Sequence, residues 1–330
     1  MKALSYWRLF IPVLLIGLGI SLIWWRGPDW IVVRDAFTVV RWPWVVAAVA
    51  LNLISVVVRA CAWNITIQQA LTPPHPRFRL VFAAFSVGLF ANVVLPGRVG
   101  ELARVAVLTR RMPGRKGAWA NLIGSVFAHR VFDLFPVFAL VIWVLISARL
   151  PHWAVTSSVA VLCIGFALLT FAVITARRDP GHGLDGLGTV RTLVTRARSG
   201  LGVMRAPVPA LIAASFQFLG WVCQLLAVWA TMVAFHIHQP FAAAGLVLLV
   251  MNVATVFPLW PGNIGLLQAA IALALQQYGV DYARGFAFGI GLQAIEASVG
   301  VGVGMIFLAR EGFSYAILKE MPEPDLNAGS

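Results

Sequence analysis

Pro96-Gly97-Arg98-Val99-Gly100-Glu101-Leu102 and Pro261-Gly262-Asn263-Ile264-Gly265-Leu266-Leu267 are two versions of one pattern, set 165 residues apart in a chain of 330. Each begins with a proline-glycine break that cuts an apolar run, 78 to 95 in the first case and 241 to 260 in the second. Proline removes a backbone donor and clashes inside a helix. The pieces that resume, Arg98 to Leu108 and Asn263 to Tyr278, fall short of the ~20 apolar residues that a bilayer crossing needs. Residues 78–108 and 241–278 therefore read as helix-break-helix hairpins that enter and leave by one face. Irregular backbone at membrane depth is tolerated where protein or a water-filled cavity shelters it. Pro96, Gly97, Gly100, Pro261, Gly262 and Gly265 make the breaks.

Outward from the hairpins, the same offset of 165 carries the apolar run 42 to 70 onto 207 to 235, and 118 to 147 onto 283 to 312. Leu9 to Trp25 and Trp153 to Ala176 supply the first span of each half. The former follows Lys2 and Arg8 and ends in Trp24-Trp25-Arg26-Gly27-Pro28 without a small-residue cleavage site, so it reads as a retained helix rather than a signal peptide. The run from Trp42 to Ala70 makes about 43 Å of helix against roughly 30 Å of hydrocarbon, and is expected to tilt or protrude. The chain is then an all-α integral membrane protein with six transmembrane helices and two re-entrant hairpins. Residues 1–150 form the first membrane repeat and 151–312 the second. Each half has an odd number of crossings, which gives the halves opposite orientation: an inverted-topology repeat, as in many secondary transporters. Eight full spans, with both hairpins opened into crossings, is the alternative.

Composition agrees with a membrane chain. It is 60% apolar and 11% charged, where a soluble domain carries about 45–50% and about 25%. That excludes most soluble enzymes, and it removes nucleic acid as the explanation of the net charge of +13. In membrane proteins excess Lys and Arg mark cytoplasmic loops. Residues 108 to 117 and 177 to 207 become cytoplasmic on this rule, as do both termini, in a multi-pass protein of the cell (inner) membrane. Arg26, Arg34 and Arg41 fall on the outside against it. Within 177–207, Leu187, Val190, Val194, Ala197, Leu201 and Met204 recur at helical spacing, with Arg191, Arg198 and Arg205 on another face. The segment is either a basic amphipathic helix on an anionic leaflet or a solvated connector. The acidic, proline-containing tail, 313–330, reads as disordered. Cys61, Cys163 and Cys223 lie in apolar stretches without CxxC spacing, so neither disulfide nor zinc is expected, and no cofactor or metal.

A charge at membrane depth costs about 2.5–3.5 kcal/mol on insertion scales, so each one asks for a reason. Arg98 opens the helix after the first break, where unpaired N–H groups and the helix dipole favour an anion. Arg104 follows one to two turns later, and together they suit a lipid headgroup phosphate. Asn92, Glu101, Asn263 and Gln268 complete the candidate headgroup site. Structural readings stand beside this one. Arg98, Glu101 and Arg104 at i,i+3 spacing can pair among themselves. Glu101 can serve its helix dipole, balance Arg98 or bind a headgroup amine, and Asn92, Asn252 and Asn263 can satisfy backbone groups freed at the breaks. Arg59 lies too deep in its span to snorkel and has Asp133 or Glu296 as natural partners. His129, Arg130 and Asp133 share one side of a helix, where Arg130 and Asp133 can form a plain structural pair. Arg59, His129, Arg130, Asp133 and Glu296 make an intramembrane polar network. It either couples to protons or simply pairs its carboxylates with arginine.

At these residues the sequence resembles a known family, the flippase-like membrane region of the lysyl-phosphatidylglycerol synthases and the stand-alone proteins that share it. The motifs are Asn92-x-x-x-Pro96-Gly97-Arg98-x-Gly100-Glu101-x-x-Arg104 and Pro258-x-x-Pro261-Gly262-x-x-Gly265, and the resemblance covers residues 5 to 312. It implies movement or handling of lipids across the bilayer, in a family linked to aminoacylated phospholipids, hopanoids and polyprenyl-linked sugars. No aminoacyl-transferase domain follows in this sequence, so lipid lysylation is not implied. Two positions depart from the family pattern. Gln268 replaces a Glu after the second break, and His129-Arg130-Val131-Phe132-Asp133 replaces Glu-Arg-x-x-Asp, each swap removing a carboxylate.

The leading expectation is a lipid translocase that moves an anionic phospholipid or a polyprenyl-phosphate-type lipid. One rival is a non-catalytic membrane partner of lipid-synthesis enzymes. Another is an integral-membrane enzyme acting on lipid-linked substrates, which needs a nucleophile or metal beside the phosphate. The sequence has no DxD, no metal-spaced His/Asp cluster and no serine or cysteine paired with a base, and no catalytic residue is assigned. It names neither the lipid nor the oligomeric state.

Overall fold

The computed structural model describes residues 28–95, 99–112, 118–148, 206–256 and 261–310, with isolated positions between 155 and 174 and at 203. The expected span 9–25, most of 153–176, nearly all of the 177–207 connector, the Pro96-Gly97-Arg98 break and the 313–330 tail lie outside them. Among the described residues every regular element is helical. They are α1 (Trp30–Thr38), α2 (Trp42–Ala70), α3 (Phe78–Val94), α4 (Gly100–Arg110), α5 (Ala118–Ser147), α6 (Pro207–Ala234), α7 (Phe241–Val256), α8 (Leu266–Gln276) and α9 (Tyr282–Arg310), with a single 3-10 turn at Pro261–Asn263.

Four of these are long and apolar enough to cross a membrane: α2, α5, α6 and the Tyr282–Phe307 part of α9. Their starts follow from local chemistry. Pro43 and Pro207 occupy first-turn positions, where the missing N–H costs nothing, and Asp281 caps α9 by accepting from the Ala283 N–H at 2.9 Å. The sequence reading placed no element at 30–38. There α1 forms, capped by Asp29, which accepts from the Ile31 N–H at 2.9 Å, and it buries Val33 against Ala272, Ala283, Phe286 and Ala287.

Helices α2 and α6 pack along their whole length and run antiparallel. The Arg41 N–H donates to the Ala234 carbonyl at 3.0 Å, the Trp44 and Trp229 rings meet edge to face at 5.5 Å, and Ser55 Oγ donates to the Gly220 carbonyl at 2.9 Å. Arg59 passes over α6 at Gly220, where a Cβ would lie 2.8 Å from the Arg59 Cγ.

The short helices sit in two pairs, α3 with α4 and α7 with α8. In the first pair backbone meets backbone. A Cβ on Gly88 would lie 2.8 Å from the Gly100 carbonyl oxygen, and the Gly100 N–H donates to Asn92 Oδ1 at 2.9 Å. Helix α4 thus begins at Gly100, two residues later than its expected start at Arg98, and its first N–H is already taken. In the second pair the break is made by positive φ at Gly262 (67°), Asn263 (46°) and Gly265 (91°). Such backbone suits glycine and tolerates asparagine, and it delays α8 to Leu266. Asn263 Nδ2 donates to the Ala254 carbonyl at 2.8 Å, and Gln268 Oε1 accepts from the Gly265 N–H at 2.6 Å. Asn92, Asn263 and Gln268 therefore bond backbone groups at the breaks.

Each short pair has its own core. Trp63, Ile67, Val81, Val105, Leu108 and Leu122 bury around the first; Val144, Val228, Leu248, Ile271, Phe288 and Leu292 bury around the second. Helix α9 touches both pairs through small residues. Gly285 and Gly289 face Ala272 and Gln268 of α8, while Gly300 and Gly304 face Val93, Phe90 and Ser86 of α3. Small residues of this kind let membrane helices approach closely.

The Gly88–Gly100 contact leaves no room for a methyl group. Gly100→Ala is expected to destabilise the protein by about 2 kcal/mol, read as a lowered unfolding midpoint in detergent. Gly302→Ala, which meets nothing within 4 Å, is expected to leave that midpoint unchanged or slightly raised.

Candidate functional site

The charged residues of the first half converge between α4, α2, α5 and α6. Glu101 and Arg104 lie in the first two turns of α4, Arg59 on α2, His129, Arg130 and Asp133 on α5, and Gln217 and Trp221 on α6. With Phe85, Gly88 and Asn92 from α3, most of them line a cavity of about 50 Å³, room for a few water molecules.

Arg104 is the deepest cation, 3% exposed. Its guanidinium lies over the faces of Trp63 and Phe85, 4.6 and 5.5 Å from the ring centroids, an arrangement that stabilises a desolvated cation through the ring quadrupoles. Its Nη2 pairs with Glu101 Oε2 at 2.5 Å, and Glu101 Oε1 pairs with Arg130. Arg130 continues to Asp133 through Nη1 and Oδ2 at 3.0 Å. Asp133 Oδ1 accepts from Trp221 Nε1 at 2.8 Å and from Gln217 Nε2, and faces Arg59 Nη2 at 3.8 Å. Arg59 itself lies over the Trp221 ring at 5.3 Å.

The result is one chain, Arg104–Glu101–Arg130–Asp133–Arg59, in which three guanidiniums face two carboxylates. Counted by its ion pairs alone the chain carries one more cation than anion at a depth where charge must be compensated, and Glu296 is the further carboxylate whose charge bears on Arg59. Buried nitrogens without a hydrogen-bond partner remain in the site: Arg59 Nε, Arg104 Nε and His129 Nδ1. The His129 ring meets the Phe85 ring edge-on at 6.1 Å.

The expected Arg59–Asp133 and Arg130–Asp133 pairs both form. Glu101 pairs with Arg104, as the structural reading of the i,i+3 spacing has it, and also with Arg130, which the sequence reading did not name, while Arg98 lies outside the described residues. Glu296 forms no ion pair within 4 Å but faces Arg59 electrostatically, and it accepts from Gln224 Nε2 at 3.3 Å. Asn263 and Gln268 belong to a second, uncharged network. There Gln268 donates to Gln293, which donates to the Gly262 carbonyl, and Asn252 is spent on the Leu248 carbonyl at 2.8 Å. Gln217, Trp221 and Gln224 escaped the sequence reading, although their i, i+4, i+7 spacing puts three polar groups on one face of an apolar helix. Trp63 and Phe85 gave no signal, because an aromatic residue beside a buried arginine looks like any core residue in sequence.

With the geometry in place, comparison with known proteins adds a family. A model described as the lysylphosphatidylglycerol synthase TM region matches residues 9–304. A UPF0104 membrane protein of Methanothermobacter thermautotrophicus is 22% identical over 276 residues, 76% of this chain and 80% of that protein. Another, from Pyrococcus horikoshii, is 25% identical over 166 residues, 49% of this chain, which spans about half (47%) of the relative's length. No solved structure matches the chain. With its four long apolar helices, the chain is a multi-pass membrane protein.

Asp133 offers a direct test of the charge chain. Asp133→Asn keeps an oxygen for Trp221 and Gln217 but leaves Arg59 and Arg130 without their shared anion. A loss of about 3–5 kcal/mol is expected, measured by thermal unfolding in detergent. Adding Arg59→Met should recover a good part of that loss if the ion pair, rather than side-chain shape, carries it.

Proposed function

The chain belongs to the lysylphosphatidylglycerol synthase TM region family, and from that premise we propose that it is a lipid translocase of the cytoplasmic membrane. Its substrate on this reading is an anionic phospholipid or a polyprenyl-phosphate-type lipid, moved without catalysis. The observation that carries the proposal is the buried Arg104, caged by Trp63 and Phe85, beside a cavity where arginines outnumber carboxylates. Arginine forks match phosphate oxygens.

The substrate is also amphiphilic, and the surroundings suit that. Phe132 and Phe218, sequence neighbours of Asp133 and Gln217, belong to an apolar groove of about 820 Å³ along α5 and α6, with Phe135, Leu211, Leu219 and Val222. A headgroup in the polar cavity and a hydrocarbon chain in this groove would satisfy both halves of one lipid. The cavity holds only a few waters, so entry of a headgroup requires α4 to move relative to α5.

Two-sided access is the role of the inverted repeat. Helices α2 and α6 begin 165 residues apart and run antiparallel, and they meet at Ser55 and Gly220, a pair separated by that same number. The remaining contacts come in matched sets: α3 with α4 and α7 with α8, α4 with α5 and α8 with α9, α3 with α9 and α7 with α5. These support two halves of opposite orientation. At 1.5 Å per residue α4 and α8 are each about 16 Å long, about half of the hydrocarbon thickness, which supports re-entrant hairpins over eight full spans.

Reconstitution in liposomes with headgroup-labelled phosphatidylglycerol tests the proposal. Arg104→Ala is expected to lower the initial translocation rate about tenfold or more, the value of one lost charged hydrogen bond. Equal rates in parent and variant, with both proteins folded, would remove the site.

A further inference from the structure

The two carboxylates in the charge chain are held in different ways. Asp133 is fixed from three helices, by Trp221, Gln217, Arg59 and Arg130. Glu101 is held by its two guanidiniums, and its Oε2 takes part in no hydrogen bond. Its side chain keeps 25% of its exposure, against 11% for Asp133. It also lies in the first turn of α4, next to Gly100.

Arg104 is constrained in the opposite sense. With Trp63 and Phe85 on its faces and 4% side-chain exposure, it is almost wholly removed from bulk water. A buried cation of this kind requires an anion at all times, because removing one partner of such a pair leaves an uncompensated charge. Any phosphate that binds Arg104 must therefore take the place of the Glu101 carboxylate, and any phosphate that leaves must be replaced by it.

We infer that Glu101 and the headgroup phosphodiester are alternative occupants of one guanidinium pair, Arg104 and Arg130, so that Glu101 sets affinity and drives release by competing for the site. The inference rests on the headgroup reading above. A carboxylate and a phosphodiester each carry one negative charge and both fit the arginine fork, so their exchange leaves the charge of the chain unchanged. The route is present as well: Glu101, Arg104 and Arg130 all line the same cavity, and Arg130 keeps half of its side-chain exposure. The exchange also selects by charge. A monoanionic phosphodiester replaces Glu101 one for one, whereas a pyrophosphate brings surplus negative charge into a buried site.

Glu101→Gln keeps the shape of the side chain and removes the competitor. The full chain is placed in zwitterionic phosphatidylcholine nanodiscs, and phosphatidylglycerol binding and the unfolding midpoint are measured. The variant is expected to bind phosphatidylglycerol about fivefold more tightly than the parent, the worth of a partly exposed ion pair, and to translocate it more slowly. Without phosphatidylglycerol its midpoint falls below that of the parent, and adding the lipid restores it. If the variant does not survive in phosphatidylcholine alone, its recovery in phosphatidylglycerol nanodiscs is the supporting result. Binding no tighter than the parent, or a midpoint indifferent to the lipid, overturns the exchange. Restoration by inorganic phosphate without lipid overturns the assignment to a headgroup. Arg104→Gln separates the two levels. Loss of binding there with no gain in Glu101→Gln sinks the exchange alone, and unchanged binding in both variants sinks the site as well.

Discussion

Asp133 is the contact on which the arrangement of the long helices depends. It projects from α5 and is met from α2 by Arg59 and from α6 by Gln217 and Trp221. Between apolar helices in lipid there is little hydrophobic force to choose one packing over another. A carboxylate that must be paired supplies that choice, because a rotation that separates it from its donors strands a charge. Around this junction the rest follows. Arg59 must cross α6, which requires Gly220; α6 must lie antiparallel on α2; and Arg130 on the same face as Asp133 is left to reach Glu101 on the first hairpin. Fold and site share one set of residues here.

Much of the helical layout was legible in the sequence. The runs 42–70 and 118–147 have the same bounds in the structure, and 207–234 and 282–310 lie within two residues of the expected edges. The physical reason is that backbone in hydrocarbon must satisfy itself, so spans appear as uninterrupted apolar runs whose ends prolines and charges mark. What escaped was short or tertiary. Helix α1 has nine residues, and only its Asp29 cap announces it. Arg59 with Asp133 was foreseeable because a deep arginine has few possible partners. Glu101 with Arg130 was not, since it depends on how α4 leans against α5. The aromatic cage of Arg104 is invisible for the same reason, as tryptophan and phenylalanine in an apolar run carry no mark of what they face.

The two hairpins share a backbone plan and differ in chemistry. At the offset of 165 residues Glu101 corresponds to Leu266 and Arg104 to Ala269. The second hairpin therefore has no charges where the first has its ion pair, and its network is built from Asn263, Gln268 and Gln293. Neutral amides close the break and hold α8 to α9 without asking for an ion. The first hairpin, by contrast, presents a cation that must always have company. Structural cost and chemical opportunity are both concentrated on one side of the molecule.

The glycine faces of α9 tie these unlike hairpins together. Its first half lies on α8 through Gly285 and Gly289, and its second half on α3 through Gly300 and Gly304. An α-helix is stiff along its axis, and a face of glycines has few side chains to interlock with its neighbour. The backbone of α9 therefore lies directly against both hairpins, and Gln293 fixes its first half to Gln268 and the Gly262 carbonyl. One continuous helix thus fixes the spacing between the two unlike hairpins, and a side chain larger than glycine at Gly285 or Gly304 would push it off one of them.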